Sequence, residues 1–195
     1  MSAEASTFSS LAPHATITLI KGSRYGLDLR GYLKPGWSGY LAGRLADEQI
    51  SVLRGAGRKI SAITWEARFE LEMPPLLKVP ERLDYCAMAS TPPAVRSTLP
   101  WVRLERLSVK RDSAHGGSLL VELTGPDQLG FLASLLRVFS FYSLFPVEME
   151  IETLGATASN RFWLKGIGSL TPTAEDQANL ATALRKLSGN GGTLP

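Results

Sequence analysis

A chain of 195 residues has room for one or two domains, and its 44% hydrophobic and 20% charged content is that of an ordinary globular protein. A net charge of +3, spread along the chain, excludes a polybasic tract, so neither nucleic acid nor membrane is an expected partner. The single cysteine, Cys86, excludes an internal disulfide framework and a zinc site built on several thiolates; the expected setting is cytoplasmic, and no cofactor or metal is expected.

Residues 1–13 are rich in Ser and Ala, lack a signal-peptide pattern and read as a loose tail. Thr16–Ile20 and Leu27–Tyr32 read as two strands of a hairpin, turning at Gly22-Ser-Arg-Tyr-Gly26. Tyr40–Leu53 reads as a helix, followed by strands at Arg58–Ile63 and Trp65–Glu72. Residues 73–100 hold Pro74, Pro75, Pro80, Pro92, Pro93 and Pro100, which excludes a long helix or central strand; only a short helix at Glu81–Ala89 survives there. Val102–Lys110 and Ser118–Leu123 form a second hairpin around the turn Asp112–Gly117. Leu129–Phe141 carries Leu132, Leu135, Leu136 and Phe139 at helical spacing. The segment Gln128–Val147 holds only Arg137 as a charge, but Gly130, Ser134, Ser140, Ser143 and Pro146 punctuate it. It reads as a buried helix and turn rather than a membrane span.

Val147–Thr153 alternates Val147, Met149 and Ile151 with Glu148, Glu150 and Glu152. Arg161–Ile167 is the next strand. Placing Ile151 opposite Phe162 sets Glu152 against Arg161, Glu150 against Trp163 and Glu148 against Lys165 on the face away from the helices. Thr173 and Asp176 have capping-box spacing ahead of Leu180, Ala181, Leu184 and Leu187; Arg185, Lys186 and Gly189 suit the end of that helix.

The order ββαββα occurs twice. At an offset of 91 residues Pro35 falls on Pro126, Gly39 on Gly130, Tyr40 on Phe131, Leu41 on Leu132, Ala42 on Ala133 and Leu45 on Leu136. The expected domains are 14–90 and 101–188, joined by a Pro-rich linker at 91–100 and followed by a tail at 189–195. The expected fold class is α+β. Each repeat forms an antiparallel four-stranded sheet with two helices on one face, a ferredoxin-like βαββαβ-type unit circularly permuted so that its leading strand fills the slot of the usual last one. Exchange of the leading strands between repeats fits the same pattern.

The turn Gly125-Pro-Asp-Gln-Leu-Gly-Phe-Leu132 between strand and helix, followed by Ile151-Glu-Thr-Leu-Gly155 and Asn160-Arg-Phe-Trp-Leu164, resembles the ACT domain. The chain looks most like the tandem ACT region at the end of PII uridylyltransferases and related amino-acid sensor proteins. The likeness covers roughly 100–187 well and 15–72 weakly. It implies a regulatory protein that binds an amino acid or similar metabolite at an interface between paired domains and modulates a partner. The implied ligand-binding residues are Asp127, Gln128, Leu129, Gly130 and Phe131, with weaker candidates Gly36, Trp37, Ser38 and Gly39 in the first repeat.

The turn has its own chemistry. Gly130 allows close backbone approach, the N–H groups opening a helix favour a carboxylate, and Asp127 suits either a helix cap or an ammonium group. At the 91-residue offset Gly36 stands where Asp127 does, so the first site lacks the acid. No catalytic constellation appears. His14 and His115 lie in a tail and a glycine-rich turn, Gly36-Trp-Ser-Gly39 is not a nucleophile elbow, and Glu148, Glu150 and Glu152 oppose RNA on an exposed sheet. The expectation is therefore non-catalytic, with a protein partner or homodimer. The alternative is an interaction or dimerisation module that no longer binds a ligand.

Overall fold

Alternation of apolar and polar residues builds eight strands into one antiparallel sheet. A computed structural model describes residues 11–92 and 102–189. The strands are β1 His14–Lys21, β2 Arg24–Tyr32, β3 Ser51–Lys59, β4 Thr64–Glu72, β5 Arg106–Asp112, β6 Ser118–Pro126, β7 Leu144–Leu154 and β8 Thr157–Gly166, in the spatial order β1-β2-β4-β3-β7-β8-β6-β5. The helices are α1 Trp37–Asp47, α2 Tyr85–Ser90, α3 Phe131–Phe141 and α4 Ala174–Gly189. Residues 1–10 of the expected first tail, 93–100 of the expected linker, residue 101, and 190–195 of the expected last tail lie outside the described residues. No helix among the described residues is long and apolar enough to cross a membrane.

The fold is α+β, and its two halves are compatible with ferredoxin-like units. In each, the leading strand lies beside the second (β1 on β2, β5 on β6), in the permuted position, and is not exchanged between repeats. The halves join edge to edge through β3 and β7, which pair Gly55 with Ile151 and Gly57 with Met149. One core runs through both: Leu27, Leu29, Phe69 and Leu71 from the first half are continuous with Val121, Leu123, Phe162 and Leu164 from the second. Across the junction α1 packs on α3, and Gly39 brings the α1 backbone to within van der Waals reach of Leu136. The apolar segment 129–147 is thus largely absorbed inside the chain: seven residues of α3, from Phe131 to Phe139, are buried.

The opposite face carries ion pairs, among them Arg68–Asp28, Arg30–Glu66–Arg58, Arg54–Glu152 and Lys110–Glu122–Arg161–Glu150. The expected register between the Glu-rich strand and its neighbour is displaced by two residues. Arg161 faces Glu150, Trp163 faces Glu148 and Ser159 faces Glu152, because Leu154 pairs with Thr157 across a two-residue turn, where the expected register would need a four-residue one. Displacement by an even number keeps every side chain on its expected face.

The helix expected at Tyr40–Leu53 runs instead from Trp37 to Asp47. Gln49 adopts a left-handed conformation (φ 58°), Ile50 N–H donates to the Leu45 carbonyl, and the chain turns into β3. The strand expected at Arg58–Ile63 is therefore β3, Ser51–Lys59, and residues 60–63 form its turn. The strand expected from Val102 begins at Arg106. Ahead of it Leu104 exchanges hydrogen bonds with the Ser188 hydroxyl on α4. The capping box at Thr173 and Asp176 forms in both directions, at 2.7 and 3.1 Å.

The structure also corrects the repeat. Gly36 (φ 86°) and Gly130 (φ 81°) both open their helices in the left-handed region, and Gln49 and Ser143 (φ 55°) both close them. These pairs, like the starts and ends of β2 and β6, are 94 residues apart. The 91-residue offset belongs only to the approach to β1 and β5, where Ala12 and Arg103 carbonyls crowd Gly31 and Gly125. Between them the second repeat is three residues longer, so a single offset mismatches every position of the turn.

Candidate ligand cleft at the repeat junction

The Pro126–Gly130 turn is held from below. Asp127 N–H donates to the Ala156 carbonyl at 2.8 Å, and Phe131 N–H to the Gln128 carbonyl at 3.0 Å. Gly130 is the N-cap residue of α3 and supplies no side-chain acceptor; Asp127 does not cap the helix. Its carboxylate makes no hydrogen bond or ion pair among the described residues, and partial burial raises its pKa from the usual carboxylate range. The residue as a whole is exposed and stands at the rim of the cleft.

This cleft, of about 40 Å³, lies where the two repeats meet. The second repeat contributes Asp127, Gln128, Gly130 and Asn160; the first contributes Ala42 and Ala46 from α1 and Ser51 from the start of β3. Gln128 and Leu129 also stand on its rim, Leu129 being 42% exposed, while the Phe131 ring is buried in the core. Asn160, on β8, is only 2% exposed, and its Oδ1 has no hydrogen-bond partner among the described residues. A buried amide oxygen left unpaired costs about 1–3 kcal/mol, which a donor entering the cleft would recover. The sequence reading missed Asn160, yet a signal exists: it is the one polar residue in the inward phase Ala158, Asn160, Phe162, Leu164.

The matching position in the first repeat is filled. There the counterpart of Asp127 is Leu33, not Gly36; that of Asn160 is Ala67, by their places opposite Leu123 and Leu29, and that of Ala158 is Trp65, by their places opposite Gly125 and Gly31. Trp37 packs edge-on against Trp65 at 5.5 Å and Phe69 at 6.4 Å, and the Phe145 ring, counterpart of Ser51, closes on Gly36. Gly36, Trp37, Ser38 and Gly39 therefore belong to a packed helix start, and Trp37 and Ser38 are buried.

Larger depressions on the other sheet face are open to solvent. Their rims, Arg54, Arg68, Glu150 and Arg161, are already paired with one another or with neighbouring acids. On that face Lys165 is buried with its ammonium donating to the carbonyls of His115, Gly116 and Gly117 and to Thr171, a polar staple for the β5–β6 turn. No cluster of three or more His, Cys, Asp or Glu able to hold a metal occurs among the described residues. Comparison with protein-family models, curated proteins and solved structures returns no match.

Proposed function

We propose that this chain is a non-catalytic tandem ACT-type regulatory protein that takes one amino acid, or a similar small amine-bearing metabolite, in the cleft at the repeat junction and modulates a partner through it. The observation that carries the reading is the pairing of two unsatisfied acceptors in one cleft. Among the described residues Asp127 has no counter-ion and Asn160 Oδ1 has no donor. An ammonium group satisfies both, and the N–H groups opening α3 suit a carboxylate at the same end. The apolar substitutions at the mate position support one site per chain, not two.

The cleft of about 40 Å³ holds a water or two and is smaller than an amino acid. Entry therefore requires the α1–β3 side to move away from the Pro126–Gly130 turn. A ligand that binds only the opened form shifts the population toward it, and this makes the site a sensor. The small volume also favours a second reading, an interaction module that no longer takes a ligand.

Thermal-shift measurements with the common amino acids separate the two. At a hundredfold excess over Kd a ligand stabilises by about 2.7 kcal/mol, or about 5–10 °C in Tm for a chain of this length. Asn160→Leu should abolish this response while leaving the unliganded protein at least as stable, because it removes an unpaired buried acceptor. No shift with any amino acid at millimolar concentration would leave the interaction-module reading in possession.

A further inference from the structure

The two ends of the eight-stranded sheet are treated differently. At one end, β5 carries Arg106, Lys110, Arg111 and Asp112 among its seven residues, and α4 closes over its open side. There Gln177 donates to the Val109 carbonyl at 2.9 Å, so a backbone group of that edge is already occupied. Charge and coverage are the usual means by which a sheet end is protected from pairing.

At the other end, β1 is charged only at its last residue, Lys21, and is touched only lightly by the short helix α2. From Ala15 to Ile20 it reads Ala-Thr-Ile-Thr-Leu-Ile, strongly strand-forming and without a charge. Among the described residues nothing beyond β2 hydrogen-bonds to its backbone. Leu19 and Ile20 are each 56% exposed. A bulge at Ile20 ends the regular stretch, leaving His14–Leu19 straight.

We propose that β1 is a self-association edge: two copies of this chain pair β1 against β1 antiparallel about a two-fold axis at Ile17. The sequence is self-complementary in that register. Ala15 and Leu19 of one copy meet Leu19 and Ala15 of the other on the helix-bearing face, Ile17 meets its mate, and Thr16 meets Thr18 on the opposite face. Apolar and Thr–Thr cross-strand pairs are the favourable kinds, and side chains directly opposite stand about 4.5–5.5 Å apart. A second copy is the fitting occupant because β5, the only other sheet end among the described residues, is blocked. The product is a continuous sheet spanning both copies, with all helices on one face and both clefts intact.

Sedimentation of the full chain in a series up to about 100 µM tests this, a range in which even a small transient interface is populated. The expected result is a rise from one chain mass to two. Thr16→Lys with Thr18→Lys sets like charges face to face at both pairs and should return the monomer. Thr16→Lys with Thr18→Glu adds as many charges to the same exposed positions but sets opposite signs face to face, and should keep the dimer. A parent chain that stays monomeric throughout, a dimer that persists in the like-charged variant, or loss of the dimer in both variants would each overturn the proposal.

Discussion

Tyr85 is buried in the short helix α2, and its hydroxyl donates to the Pro80 carbonyl at 3.1 Å. Burial, helped by the nearby Glu81, pushes its pKa up to about 12. Folding therefore gains from the neutral phenol below about pH 10, and that gain is lost as pH rises through about 12. Tyr85→Phe should cost about 1 kcal/mol in urea unfolding at neutral pH, and should remove this contribution to alkaline destabilisation. Asp127 has the same sign for a different reason. Its raised pKa means that the folded protein favours the protonated acid, so its contribution is present below the ordinary carboxylate range and fades as pH rises through the raised value. At neutral pH the ionised group is a burden to the empty protein. Asp127→Asn should raise the unliganded Tm at pH 7, narrow that difference in acid, and weaken any amino-acid response. An unliganded Tm that falls at pH 7 would show that the carboxylate has a structural partner after all. Asp127 was legible in the sequence as a polar residue in a turn before a helix; its lack of a partner was not, because pairing depends on what the other repeat brings alongside.

Among the elements, β3 has the most demanding position. It lies between β4 and β7 and presents Gly55 and Gly57 toward the helices, so the Phe69 ring and the Ile151 and Met149 side chains close over its backbone. A Cβ at Gly55 would overlap the Phe69 ring, and one at Gly57 would come within 2.7 Å of Met149 Cε. Gly55→Val should therefore destabilise by about 1–3 kcal/mol despite the higher strand propensity of valine, as read from the urea midpoint at unchanged m. This strand was poorly legible. Its inward positions are glycines, which carry no hydrophobic signal, and Val52 and Leu53 at its start extend the apolar pattern of α1. The Glu-rich β7 was legible because its inward Val147, Met149 and Ile151 alternate with three acids. Its register slipped by one pair of residues, since alternation is the same whether the turn into β8 holds two residues or four.

For the molecule as a whole, β3–β7 pairing and α1–α3 packing tie the two repeats into a single core. One cooperative transition is the expected unfolding behaviour, with tryptophan fluorescence and far-UV circular dichroism coincident in urea. Separate transitions would mean that the junction contributes little. The repeat itself was visible from sequence, and so was the permuted strand order. Its internal bookkeeping was not: the 91-residue match followed the chain through Leu41 and Ala42, whereas the backbone repeats at 94 from Gly36 to Gly130. That difference decides which residue stands opposite Asp127, and with it why the first position is filled with aromatic rings.

The junction strand has a kinetic side as well. β1 with β2, β3 with β4, β5 with β6 and β7 with β8 are neighbours in sequence and can zip locally, whereas β3 must find β7 across some 90 residues of chain. Loop closure makes such distant pairing the slow search in folding. Until it is complete, the glycine-lined edge of β3 stands open, and a nascent chain is most vulnerable to a wrong neighbour at the strand that later unites its halves.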